Sequence, residues 1–240
     1  MANINDTAYP RFKNNISEKD LINVYTPTQM EILYANEVTR NHKNKLLFLI
    51  MLKTYQRLGY FVNVQKVPKI IINHIAKTTN MIDVLNGYEK YDGSSVKVKH
   101  IEYIRMYLNI KPYNHEAKDI AIKTAAEASK TKDNDADIIN AVIDELIHQR
   151  YEIPVFSTLL RISRKVRHTV YNAYYKFVYE NISEDTKKLI DNLFISNGST
   201  PDTGWNSLKE AIGGNGSICA LNLTICIKTL YYSTQHIVYI

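Results

Sequence analysis

Residues Leu46 to Leu52 (LLFLIML) form an unbroken run of seven apolar side chains. The run lies inside a longer helical pattern, from Asn44 to Leu58, that stops at Gly59, a residue suited to a left-handed helix cap. A helix that is apolar on every side must be enclosed by other elements. It is too short to cross a bilayer, which takes about 20 residues. The run therefore predicts the central helix of a bundle.

Helical periodicity continues on both sides. Ser17-Glu18-Lys19-Asp20 reads as a capped start, with an acid three residues after Ser. Thr26-Pro27-Thr28-Gln29 reads as another, with Thr26 as N-cap, Pro27 at the first helical position and Gln29 reaching back. Pro68 opens a helix to about Thr78, and further helices are expected over Val96–Leu108, Glu116–Ser129, Ala136–Gln149, Ser157–Glu180 and Glu184–Phe194. With 45% hydrophobic and 22% charged residues, and only 8 Gly and 6 Pro, the chain has the composition of a soluble globular protein. Wholly disordered, collagen-like and loop-dominated all-β chains are excluded. The expected fold is all-α, a multi-helix array with helix-turn-helix-like subdomains.

Linkers are expected at Asn86–Ser95, Thr131–Asp135 and Glu152–Phe156, with the strongest boundary at Gly87–Ser95. This divides the chain into a first helical subdomain (1–90), a second with a long basic helix (91–211) and an aberrant tail (212–240). From Ile212 onward the helical period, the charges and the caps disappear together, and Thr, Ile and Tyr take over.

The formal net charge is +6, and it is unevenly spread. Residues 1–90 carry 12 bases against 7 acids, and residues 151–180 carry 5 against 2. Clustered bases suit a polyanion, because each neutralised phosphate releases condensed counterions; they also simply solvate helices. Lys66, Lys69, Asn73 and Lys77 share one face of the helix after Pro68, with His74 beside them, while Ile71, Ile72 and Ile75 share another. Following a buried helix, the arrangement is helix-turn-helix-like, with a connection longer than the usual three or four residues. Asn reads adenine in a major groove, and Lys reads guanine or holds phosphate. On the helix opened by Ser157 and Thr158, the residues Leu159, Ile162, Val166, Val170, Ala173 and Phe177 line an apolar face. Arg161, Arg164, Lys165 and His168 lie opposite, with Arg167 on the flank. Lys97, Lys99, His100 and Arg105 form a third basic cluster.

Signs of catalysis are weak by comparison. Asp133, Asp135 and Asp137 precede an apolar-periodic helix, where acids complement the helix dipole, and no calcium-loop spacing follows. Gly213-Gly214-x-Gly216 lacks the flanking strand and helix of a phosphate loop. Seven scattered His show no paired spacing, and two Cys, Cys219 and Cys226, make neither a disulfide scaffold nor a zinc site. The polar N-terminus carries no signal-peptide stretch, so a reducing cytoplasmic setting is expected. Neither an enzyme active site nor a cofactor or metal is expected.

Several motifs, taken in order, resemble the N-terminal region of the large replicative transposases of the Tn-three type. They are Tyr9-Pro10-Arg11-Phe12, Phe48 through Phe61, Ile72-Asn73-His74-Ile75, Tyr91-Asp92 with His100, and Ile104-Arg105-x-Tyr107-Leu108. Ile139-Asn140-Ala141 with Glu145-Leu146, then Tyr151-Glu152-Ile153-Pro154-x-Phe156-Ser157-Thr158-Leu159-x-Arg161, and finally Trp205-Asn206-Ser207-Leu208-Lys209 complete the match over about residues 8–211. The resemblance implies an all-helical region that recognises terminal inverted repeats in double-stranded DNA, with full-length transposase subunits as second partners and a nucleoid-associated location. In that family a ribonuclease-H-like domain with acidic metal ligands cuts and joins strands. No counterpart of it is seen in this sequence, and the tail after Lys209-Glu210-Ala211 departs from the family pattern. The expectation is a truncated transposase with an out-of-frame ending, DNA-binding and not catalytic. A protein-interaction module of the transposase assembly and an inert remnant are the alternatives.

Overall fold

The computed structural model describes residues 3–82 and 90–192. The tail, the Trp205–Lys209 motif and the end of the helix expected at Phe194 lie outside the described residues. The helices are α1 (Glu18–Asp20), α2 (Gln29–Val38), α3 (His42–Leu58), α4 (Lys69–Thr78), α5 (Ser95–Leu108), α6 (His115–Thr131), α7 (Asp135–His148), α8 (Phe156–Asn181) and α9 (Glu184–Asn192). Among the described residues there is no strand; one isolated parallel bridge joins Lys111 and Tyr151. The fold is an all-α multi-helix array, as expected. No helix among the described residues is long and apolar enough to cross a membrane.

The apolar run is the centre. Every residue of α3 from Leu46 to Tyr55 is buried, Phe48, Leu49 and Leu52 completely. Each such side chain contributes roughly 1.5–3 kcal/mol relative to an exposed one. Burying that whole stretch also buries Lys53, which is satisfied by Glu31 of α2 at 3.3 Å. Glu31 additionally accepts from Gln56 Nε2 at 2.7 Å and closes the capping box of α2 with Thr28. Here the expected cap moves by two residues. Thr28, not Thr26, is the N-cap, because Glu31 stands three residues after it and binds its N–H at 2.7 Å. The expected Ser17–Asp20 box does form, but the helix it starts passes at once into a π-turn, Leu21–Tyr25.

Gly59 ends α3 at φ +72°, its N–H donating to Tyr55 O at 2.7 Å. Its carbonyl accepts the Ile153 N–H at 2.9 Å, and a Cβ here would meet Ile153 Cδ1 at 2.7 Å. The expected linker around Glu152 is thus a docked strap. Lys111 exchanges backbone hydrogen bonds with Arg150 and Glu152, and Tyr9 OH donates to Pro154 O at 3.2 Å. Tyr9 stacks on Tyr60 and meets Phe156 edge-on, and Ala8 N–H donates to Asn140 Oδ1 at 2.7 Å. Segments far apart in the chain, at residues 8–10, 59–60, 140 and 153–156, therefore meet in space.

The chain comprises two compact units, Met1–Ala125 with Asn134–Ser163, and Ala126–Asp133 with Arg164–Ile240. The boundary expected at Gly87–Ser95 does not divide the packing. Tyr91 and Ile104 belong to the same buried cluster as Leu46–Leu52, and the His100 ring packs edge-on against Phe48. In the second unit, Arg167 donates to Asp133 O at 2.8 Å and Tyr171 OH meets the Asp133 carboxylate. The start of α9 is held by Ser183 Oγ, which accepts from Thr186 N–H at 3.2 Å.

Candidate nucleic-acid interface

The face of α4 is set by its own amphipathicity. Ile71, Ile72, Ile75 and Ala76 are buried, and this anchors the helix on α3. Lys69, Asn73 and Lys77 consequently point to solvent, with Lys66 exposed on the preceding Val64–Lys66 turn. Among the described residues, none of these three lysines is ion-paired. His74, expected beside them, is half-buried, and its Nε2 lies 2.8 Å from Thr26 Oγ1. Burial, and then the charge of Lys77, hold its pKa below the usual histidine value.

The approach to α4 is fixed by a residue that sequence reasoning treated only as part of a motif. The Asp92 carboxylate accepts the N–H of Val64 at 2.9 Å and of Gln65 at 3.2 Å. Lys97 Nζ reaches the same carboxylate at 2.9 Å and Asn63 Oδ1 at 2.7 Å. Burial pushes the Asp92 carboxyl up, but the Lys97 hydrogen bond and the two N–H groups outweigh it, and its pKa lies below the usual carboxylate value. An acid five residues before a base is the only sequence signal of this device.

Three expected contacts are corrected by this packing. Lys97 is about nine-tenths buried, against Asp92. His100 is 2% exposed, with Nδ1 2.7 Å from Tyr91 OH, and burial lowers its pKa to about 4. It is a neutral core histidine. Arg105 is half-buried in a bidentate pair with Glu152, Nε to Oε1 at 2.6 Å and Nη2 to Oε2 at 3.1 Å, and sits over the Phe61 ring. Lys99 alone of that cluster is exposed.

On α8 the expected stripe divides between the two units. In the first, Ser157 and Arg161 are exposed, and Thr158 is half-buried with its N–H on Val155 O. In the second, Lys165 and His168 are exposed, with His168 Nε2 3.0 Å from Asn172 Nδ2; Arg164 and Arg167 are half-buried, and Arg167 is held by Asp133. Leu159, Ile162 and Val166 are buried as expected, but Ala173 is exposed and Tyr174 takes the buried position instead. A stripe that steps from Val166 to Val170 by four residues reaches 174 next, where a ring covers more apolar surface than a methyl group.

The three acids at 133–137 do not form a metal site. Asp135 and Asp137 lie in the first turn of α7, and Asp135 accepts the Ser163 hydroxyl at 3.0 Å. Among the described residues no group of three or more His, Cys, Asp or Glu is placed to hold a metal ion. Arg11 is exposed, meets Asn5 Oδ1 and lines a cleft with Arg57, which the sequence did not single out.

The family described as Domain of unknown function (DUF4158) matches residues 1–166. The chain belongs to the DUF4158 family. The DUF4158 match contains α1 to α7 whole, with the strap at Gly59, the Asp92 device and the face of α4. It also takes in the start of α8 as far as Arg164 and Lys165, leaving Arg167 and His168 beyond it. No curated protein matches this DUF4158 chain.

Proposed function

We propose that this DUF4158 chain binds double-stranded DNA sequence-specifically at the terminal inverted repeats of a transposon, as the DNA-binding region of a Tn-three-type replicative transposase. The observation that carries the reading is the face of α4: Lys66, Lys69 and Lys77 exposed and unpaired among the described residues, with Asn73 between them. Lysines on such a face neutralise phosphates and set the register, and Asn73 supplies a bidentate donor–acceptor pair for an adenine edge. The rigid backing from α3 and the Asp92 anchor support this use, because base reading needs a helix that does not shift. Exposed Lys99 and Arg161, with Lys165 in the second unit, supply further phosphate contacts. Strand cutting is assigned to no residue of this chain, which acts on DNA in the bacterial nucleoid.

Fluorescence anisotropy of the purified chain tests the reading, with a duplex carrying the element's terminal repeat beside a scrambled duplex across a salt series. A preference for the repeat of about 10³-fold, with affinity falling steeply in salt, is expected. Equal, weak binding to both duplexes overturns it.

A further inference from the structure

A second basic feature lies away from the face of α4. Residues 5–14 wrap past the end of α3 and enclose a cleft of about 470 Å³ lined by Arg11, Lys13 and Arg57 among polar neighbours that include Asn5 and Asn14. No acid among the described residues lines it. The cleft is held in shape from both sides. Tyr60 OH donates to Pro10 O at 3.0 Å, and Tyr9 is fixed by stacking on Tyr60 and by its bond to Pro154 O, so the backbone carrying Arg11 is anchored. Arg57 stands in the last turn of the buried helix α3 and lines a smaller adjoining cavity together with Tyr25. Asp20 lines the same smaller cavity, and its carboxylate is already taken by Lys13 Nζ at 2.7 Å and by Ser17.

We propose that the cleft between Arg11 and Arg57 binds a phosphate of the DNA backbone, as a clamp separate from the reading face of α4, with Lys13 at its edge already paired to Asp20. Two guanidiniums on anchored backbone offer paired N–H donors matched to phosphate oxygens, which one solvated lysine does not. The occupant is a polynucleotide backbone, because the cleft and α4 border one segment. Tyr25 of the π-turn and Arg57 line one small cavity, and the next residue, Thr26, lies 2.8 Å from His74 of α4. A duplex lying on α4 that continues past this segment meets the cleft. Phosphate contacts made here set orientation and carry no base information. The proposal rests on the DNA-binding function proposed for α4.

The test uses the full chain, anisotropy in a salt series, the repeat and scrambled duplexes, and repeat duplexes in which one phosphate at a time is a neutral methylphosphonate. Arg57→Ala and Arg11→Ala are each expected to weaken binding to both duplexes by the same factor, about tenfold. They also reduce the salt slope by about 0.9 for each phosphate that is no longer neutralised. One methylphosphonate position that weakens the wild-type chain has no effect on these variants, and Arg57→Lys keeps most of the slope. Arg11 lies outside any helix, so Arg11→Ala carries the test if Arg57→Ala does not fold by circular dichroism. Variants with wild-type affinity and slope, while the wild-type chain still prefers the repeat, overturn the clamp alone. A lower repeat-to-scrambled ratio in Arg57→Ala overturns it too, since the arginine then reads bases. If the wild-type chain binds neither duplex, both the clamp and the DNA-binding function fail.

Discussion

Asp92 binds Lys97 at 2.9 Å, and both side chains are about nine-tenths buried. The same carboxylate holds the N–H groups of Val64 and Gln65, so one residue ties the start of α5 to the turn that leads into α4. Asp92→Ala leaves the Lys97 ammonium buried with no counter-charge and only the neutral Asn63 Oδ1 as partner, and takes the acceptor from two N–H groups. A loss of about 3–5 kcal/mol is expected in urea unfolding. Adding Lys97→Met to that variant costs less than the two single changes summed, a coupling of about 1–3 kcal/mol. Strict additivity in the double-mutant cycle means that the pair does not cooperate. Because the folded pKa of Asp92 is depressed, its contribution is fully present above the usual carboxylate pKa and is lost as pH falls through the lower folded value.

Glu31 and Lys53 are a second buried pair, in the apolar middle of α3. Lys53→Ala is expected to cost about 3–5 kcal/mol, because it leaves the Glu31 carboxylate buried with only Gln56 and its cap as partners. Lys53→Met with Glu31→Gln keeps the cap and removes both charges, and is expected to fall within about 1–2 kcal/mol of wild type. A double variant no more stable than Lys53→Ala contradicts this.

Gly59 carries two demands at once, a left-handed backbone and contact with Ile153. Gly59→Ala adds a left-handed penalty of about 1–2 kcal/mol to the displacement of the Ile153 side chain. Ile153→Ala in the Gly59→Ala background creates its own cavity but removes the clash, so the two changes together cost less than their sum. Thermal melts of the four proteins decide it.

His100 makes stability depend on pH in a window set by its burial. Unfolded, it takes up a proton near pH 6.5; folded, only near pH 4. Between these values the unfolded chain binds more protons, so stability rises with pH, by roughly 3 kcal/mol across the window. His100→Phe keeps a ring against Phe48 and is expected to flatten most of this rise. His74, also depressed, leaves a residual slope of the same sign. Urea midpoints from pH 4 to 7.5 that change equally in both proteins rule out His100 as the source.

On α4 the two kinds of contact separate. Asn73→Ala is expected to lower the ratio of repeat to scrambled binding by an amount worth about 1–3 kcal/mol. Lys69→Ala and Lys77→Ala weaken both duplexes alike and reduce the salt slope by about one each. An Asn73→Ala chain with the wild-type ratio removes Asn73 from base reading.

Helices were readable wherever local chemistry and periodicity agreed. The apolar run at Leu46–Leu52, the cap at Gly59 and the split of α4 into an isoleucine face and a lysine–asparagine face all follow from spacing alone, since a helix repeats every 3.6 residues whatever surrounds it. Caps were readable only where one candidate stood alone; at Thr26 and Thr28 the decision went to the residue with Glu31 at the right distance. Charge was the least readable property. Lys97, His100 and Arg105 look in sequence like Lys69 and Lys77, yet they are buried or paired, with partners at Asp92, Tyr91 and Glu152. Glu152 lies 47 residues from Arg105, and no local rule connects them. Sequence alone dictated the helices and which faces of them are apolar, because those depend on near neighbours in the chain. Tertiary structure decided which bases remain free for a polyanion and gathered Arg11 and Arg57 around one cleft, because burial and ion pairing depend on residues brought together only by packing.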